Sequence, residues 1–80
     1  MWQTITKLPT PFSAAGRNHA VAIDGMQRPD GTWAGRVSFI DGNTVRSTDQ
    51  ETSQPNRNAL EYWASGLEKV YLEGAFQRSR

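Results

Sequence analysis

Between His19 and Thr48 the chain alternates apolar and polar residues in step with a strand, and beyond Asn56 it changes to the spacing of a helix. Val21 and Ile23 fall on one face of a first strand, His19–Gln27, and Trp33, Val37 and Phe39 on the same face of a second, Thr32–Ile40. Ala20, Ala22, Asp24 and Met26 share the opposite face with Ala34, Arg36, Ser38 and Ile40. The joint is Arg28-Pro29-Asp30-Gly31, in which proline presets one corner and glycine supplies the positive φ that closes a three-residue loop. Pairing Arg28 with Thr32 places Ile23 opposite Val37, Val21 opposite Phe39 and Asp24 opposite Arg36.

Asp41-Gly42-Asn43 joins the second strand to a third, Asn43–Thr48. A two-residue Asp-Gly turn puts Phe39 opposite Thr44, whereas a three-residue loop puts Phe39 opposite Val45 and Ser38 opposite Arg46. Apolar pairing favours the three-residue loop, because a slip of one residue turns Val45 to the wrong face.

Before this meander, Met1–Leu8 has the composition of a short edge strand, which Pro9 and Pro11 end because proline cannot donate to a ladder. Leu8 and Phe12 flank the prolines and are expected to plug one end of the core. Ser13–Asn18 is a connector with room for one helical turn. After the meander, Asp49–Gln54 has no apolar anchor and reads as a loop. Pro55 suits a helix start, and Ala59, Leu60, Trp63, Ala64, Leu67, Val70, Tyr71 and Ala75 form one stripe of a helix over 55–77. Trp63 is its expected core anchor. Gly66 breaks the pattern and implies a kink or a close approach to the sheet.

The expected fold is therefore α+β: a three-stranded antiparallel meander, with the N-terminus as a fourth edge strand, packed on one C-terminal helix. One domain spans 1–80, divided into an N-terminal segment 1–17, the meander 18–48, a polar loop 49–54 and the helix 55–77. Apolar residues make up 36% of the chain, but three Trp, three Phe and two Tyr supply large burial per residue. A net charge of +1 is too small to point to nucleic acid or membrane. The absence of cysteine leaves neither disulfide nor thiolate metal site and favours a reducing, cytoplasmic setting. No segment approaches the length of a membrane span.

Candidate chemistry is sparse. His19 has no second histidine or cysteine near it in sequence, so neither a metal site nor a cofactor is expected. The carboxylates are dispersed and no serine sits in a nucleophile-elbow pattern, so catalysis is not expected either. Two surfaces remain. Arg28, Arg36 and Arg46 fall on the sheet face away from the helix, where their planar forks suit an anionic partner, although Asp24 stands opposite Arg36. Tyr62, Leu72 and Phe76 project off the helix stripe, and this apolar patch suits association with a protein partner or a second copy.

The stretches DGTWAGRVSFIDG and NALEYW, in a strand order running from Asn18 to Gln77, resemble the partial ribonuclease-H-like domain of HicB-type antitoxins. Three strands followed by a helix is also the order of double-stranded-RNA-binding domains. The first resemblance implies a regulatory, nucleic-acid-associated module. The chain departs from it in lacking the proline- and cysteine-containing segment after the second strand, and in having no DNA-binding tail. The leading expectation is a non-catalytic interaction module binding a protein partner or itself, and the alternative is a nucleic-acid-associated module using the arginine face.

Overall fold

Alternation, turns and helix spacing assemble, in a computed structural model describing Met1–Arg80, into an antiparallel sheet with two helices on one face. The strands are β1 (Gln3–Lys7), β2 (Phe12–Ala14), β3 (Arg17–Gln27), β4 (Trp33–Asp41), β5 (Thr44–Ser47) and β6 (Thr52–Gln54). The helices are α1 (Arg57–Ser65) and α2 (Lys69–Arg78). β3 and β4 form the centre, and their register is the expected one, with Val21 opposite Phe39, Ile23 opposite Val37 and Asp24 opposite Arg36. Gly31 closes their loop at φ +88°, with the Arg28 amide donating to the Thr32 carbonyl.

Each central strand has an interrupted neighbour. β1 and β2 both pair with β3, and β5 and β6 both pair with β4, so the sheet is a four-position meander whose outer positions are broken. The first break follows from Pro9 and Pro11. Leu8 donates the last amide, to Val21, before the chain bulges outward. Ser13–Asn18 is not a helical turn but a hairpin, with Ala15 and Gly16 at φ +54° and +74°. Both central residues in the left-handed region mark a I′ turn, whose twist matches the flanking strands. The second break falls at Asp49-Gln50. Of the expected loop 49–54 only residues 49–51 are irregular: the Thr48 and Glu51 amides donate to the Val37 and Gly35 carbonyls, and 52–54 continue the pairing as β6. A wholly polar run forms an edge strand here because β4 offers it a template of free carbonyls.

The second hairpin differs from both expected registers. Its loop is Gly42-Asn43, with Asp41 opposite Thr44, Ile40 opposite Val45 and Phe39 opposite Arg46. Gly42 takes φ +59° at the first central position, the arrangement of a II′ turn. Val45 consequently turns away from the core, and Arg46 turns towards the helices.

The predicted helix over 55–77 is two helices. Asn56 is the N-cap of α1, its side chain accepting from the Ala59 amide at 2.8 Å. Gly66 ends α1, and α2 restarts after Glu68. The break lets both segments follow the twisted sheet. Leu60, Ala64, Leu72 and Ala75 are buried with Val21, Ile23, Val37 and Phe39, with Phe12 closing one end as expected. The anchor is not Trp63, which is half-buried and meets Tyr71 edge-on at the periphery, but fully buried Leu60. Val70, expected in the stripe, is 73% exposed.

Leu60 reaches the sheet through a cross-strand pair of glycines. Gly25 and Gly35 stand opposite each other, and a Cβ on either would lie 2.8 or 2.6 Å from a Leu60 methyl. Ile5 and Thr52 press on the same two glycines from the edge strands. The close approach expected of Gly66 thus belongs to the sheet, since a Cβ on Gly66 meets nothing nearer than the Trp63 carbonyl at 3.8 Å.

Urea denaturation should rank these residues. Leu60→Ala is expected to cost about 2–5 kcal/mol and Trp63→Ala less. Gly35→Ala, which overfills the same site, should cost about 1–3 kcal/mol, and Gly66→Ala at the open helix junction about 0.5 kcal/mol or less. Equal midpoints for Gly35→Ala and wild type are incompatible with Leu60 seated on the glycine pair.

Candidate functional site: the uncovered sheet face

The strand parity that sends Val21, Ile23, Val37 and Phe39 to the helices sends Ala22, Asp24, Ala34, Arg36 and Ser38 to the other side, where no helix lies. At its centre the Asp24 carboxylate is 10% exposed and accepts two hydrogen bonds on one oxygen. Arg36 Nε donates to it at 3.0 Å and Ser38 Oγ at 2.6 Å. The Ser38 hydroxyl also lies 2.7 Å from that of Ser47, its cross-strand partner. The Trp2 ring, delivered by the N-terminal strand, stacks on the Arg36 guanidinium at 4.5 Å. Charge at the centre of this face is therefore paired within the face.

Apolar side chains surround that centre. Ala22 and Ala34 are a buried floor, Met26 and Ile40 are half-buried, and Val45 is 55% exposed as a direct result of the two-residue second loop. Both strand edges beside the face are blunted. A register shift between Thr4 and Thr6, Lys7 and the two prolines disrupt the β1 side. On the β5 side the C-terminal Arg80 pairs with Ser47 through two backbone hydrogen bonds of 3.0 and 3.1 Å.

The three arginines expected on this face are not brought together. Arg36 is there, held by Asp24 and Trp2. Arg28 sits at one end, donating to the Gln50 and Ser53 side chains. Arg46 lies on the helix side because its register position is opposite Phe39. It covers the Phe76 ring at 4.1 Å and donates to the Phe76 and Ser79 carbonyls at 3.3 and 3.2 Å, satisfying the carbonyl end of α2.

Nor do Tyr62, Leu72 and Phe76 form a patch. Leu72 is 8% exposed, and Phe76 packs against Phe12, Phe39 and His19 at ring separations of 5.6, 5.1 and 5.1 Å. The helix break turns both residues inward and the N-terminal hairpin covers them. Tyr62 alone is open, at 83%. His19 is buried edge-on to Phe76, with Nδ1 3.4 Å from the Phe12 carbonyl oxygen.

A cluster the sequence did not signal joins the second edge to α2. The Tyr71 hydroxyl donates to Glu51 Oε1 at 2.5 Å, and Arg78 donates to both Glu51 oxygens at 2.7 and 3.2 Å. The Arg78 guanidinium holds the Glu51 carboxyl below its ordinary range, opposed by burial. Burial, followed by the hydrogen bond to Glu51, pushes the Tyr71 hydroxyl up to about 12. No pattern announced this cluster, since Glu51 stands in a polar run and its partners follow 20 and 27 residues later.

Comparison of the chain with protein-family models, curated proteins and solved structures finds no match.

The Glu51 cluster carries a pH dependence of known sign. A carboxyl with a lowered folded pKa stabilises the fold above its unfolded pKa, and that stabilisation is lost as pH falls through the folded value. Glu51→Gln is expected to cost about 1–2 kcal/mol at pH 7. Its stability curve should converge on that of wild type in acid below the usual carboxylate range, as followed by thermal melts across pH. A gap that stays constant down to pH 2 excludes the ionised cluster as its source.

Proposed function

We propose that the protein is a non-catalytic interaction module that binds a second copy of itself through the uncovered sheet face. The observation that carries this reading is the neutralisation at the centre of that face: Asp24 is paired with Arg36 and hydrogen-bonded by Ser38, and Arg36 is capped by Trp2. In a two-fold contact each residue approaches its own kind near the axis, so an unpaired charge there is repelled by its copy. The central ions of this face are already paired, with alanines as floor and Met26, Ile40 and Val45 around them, and Lys7 and Arg28 stand at its margins, away from a central axis.

Size supports the same occupant. Four strand positions about 4.8 Å apart, with about 3.3 Å per residue along the central strands, make a face of roughly 600–700 Å². A standard interface takes roughly 800 Å² from each partner. The blunted edges oppose the competing mode, in which copies add strand to strand. Nucleic acid is disfavoured as the occupant, because the arginines are separated and each is engaged within the domain. No helix is long and apolar enough to cross a membrane, and we assign the module to the cytoplasm on its cysteine-free composition.

Sedimentation equilibrium tests the proposal directly. Wild type should dimerise at micromolar to low millimolar concentration, and Ile40→Lys/Val45→Lys should be a folded monomer with unchanged circular dichroism. A wild-type protein that stays monomeric throughout this range, or a dimer untouched by the double substitution, overturns it.

A further inference from the structure

On the helix side, remote from the uncovered face, the proline interruption and the break between the helices leave a groove of about 590 Å³. One wall is the proline bulge, Leu8 to Ser13, and the other is the elbow between α1 and α2, with Ala64, Leu67 and Leu72 facing the bulge. Its walls are held by the fold: the prolines lock their own φ angles, Phe12 and Leu72 belong to the core, and Gly66 terminates α1, its N–H donating to the Trp63 and Ala64 carbonyls. The groove is therefore preformed, and its size is that of small-molecule sites, which span roughly 300–1,000 Å³.

We infer that this groove binds an organic anion with an unbranched apolar tail, of the fatty-acid class, its carboxylate against Lys69. Lys69 is the sole ionisable side chain lining the groove, and it takes part in none of the ion pairs of the domain. Charge complementarity therefore selects one negative group at that end and none elsewhere. The hydroxyls of Thr10, Ser13 and Ser65 are the other polar groups of the lining. Peptide is the wrong occupant on hydrogen-bonding grounds. Pro9 and Pro11 have no amide to offer along the bulge, so a peptide main chain buried against it would lose its water there without replacement. A hydrocarbon tail gives up no hydrogen bonds by entering and removes Leu8 and Leu67, both half-buried, from water.

Titration of the full chain with decanoate, followed by amide chemical shifts, tests the inference. Saturable shifts should cluster at Thr10, Ser13, Ser65, Leu67 and Lys69. Decylammonium should bind more weakly, and Lys69→Gln should weaken decanoate by about 5-fold while leaving the fold intact. Leu67→Gln should weaken both ligands. Ile40→Lys/Val45→Lys should bind decanoate as wild type does, which separates this site from the self-association face. Absence of saturable shifts at these residues up to millimolar decanoate, or equal binding of decylammonium and decanoate, overturns it.

Discussion

The structure depends on one close approach, that of Leu60 to the glycine pair Gly25 and Gly35. Two glycines facing each other across the central ladder open a hole in the sheet surface where any Cβ would lie within 3 Å of the leucine methyls. Seating Leu60 there brings α1 down onto the sheet, sets its rotation and leaves Trp63 at the border. It also draws in both edges, because Ile5 of β1 and Thr52 of β6 close the hole from either side. Core packing at close-packed density has few alternatives once such a contact exists, since neither sliding nor rotating the helix refills the space.

The interrupted edges are consequences of the same economy. A domain of 80 residues has little apolar area to bury, and breaking each outer strand lets short segments serve two surfaces. The bulge at Pro9–Pro11 swings Phe12 under Phe76 and Phe39, so that an N-terminal hairpin closes the end of the core that α2 leaves open. The break at Asp49-Gln50 places Glu51 where Tyr71 and Arg78 can reach it. Arg46 and Arg80 then tie the end of α2 to β5. Long-range polar contacts here fasten elements whose apolar contacts alone are few.

Charge satisfaction within the domain also shapes its surface. Arg17 pairs with Asp41, Arg36 with Asp24, Arg57 with Glu61 and Arg78 with Glu51. Arginine in this protein serves as an internal clamp, which its several donors and weak hydration suit. The sheet is left with an apolar rim of Met26, Ile40 and Val45 on one side and the groove with its single lysine on the other.

Local chemistry determined the elements that depend on near neighbours. The strand alternation from Val21 to Phe39, the Pro29–Gly31 loop and the resulting pairing of Ile23 with Val37 were legible, because side-chain period and turn stereochemistry are properties of a few adjacent residues. The α+β class, the edge position of the N-terminal strand and the plug at Leu8 and Phe12 followed from the same signals. Tertiary structure decided the rest. The preference for apolar pairing put Val45 inside, yet Arg46 takes the inner position because Phe76 and the α2 carbonyls, 30 residues away, receive its guanidinium. The stripe from Ala59 to Ala75 fitted one rod, but a straight rod cannot follow a twisted sheet, and the break at Gly66 turned Leu72 and Phe76 inward. The partition of arginines between faces, and with it the character of the uncovered surface, rested on a one-residue difference in a turn. Local sequence left those alternatives close in energy, and only long-range packing separated them.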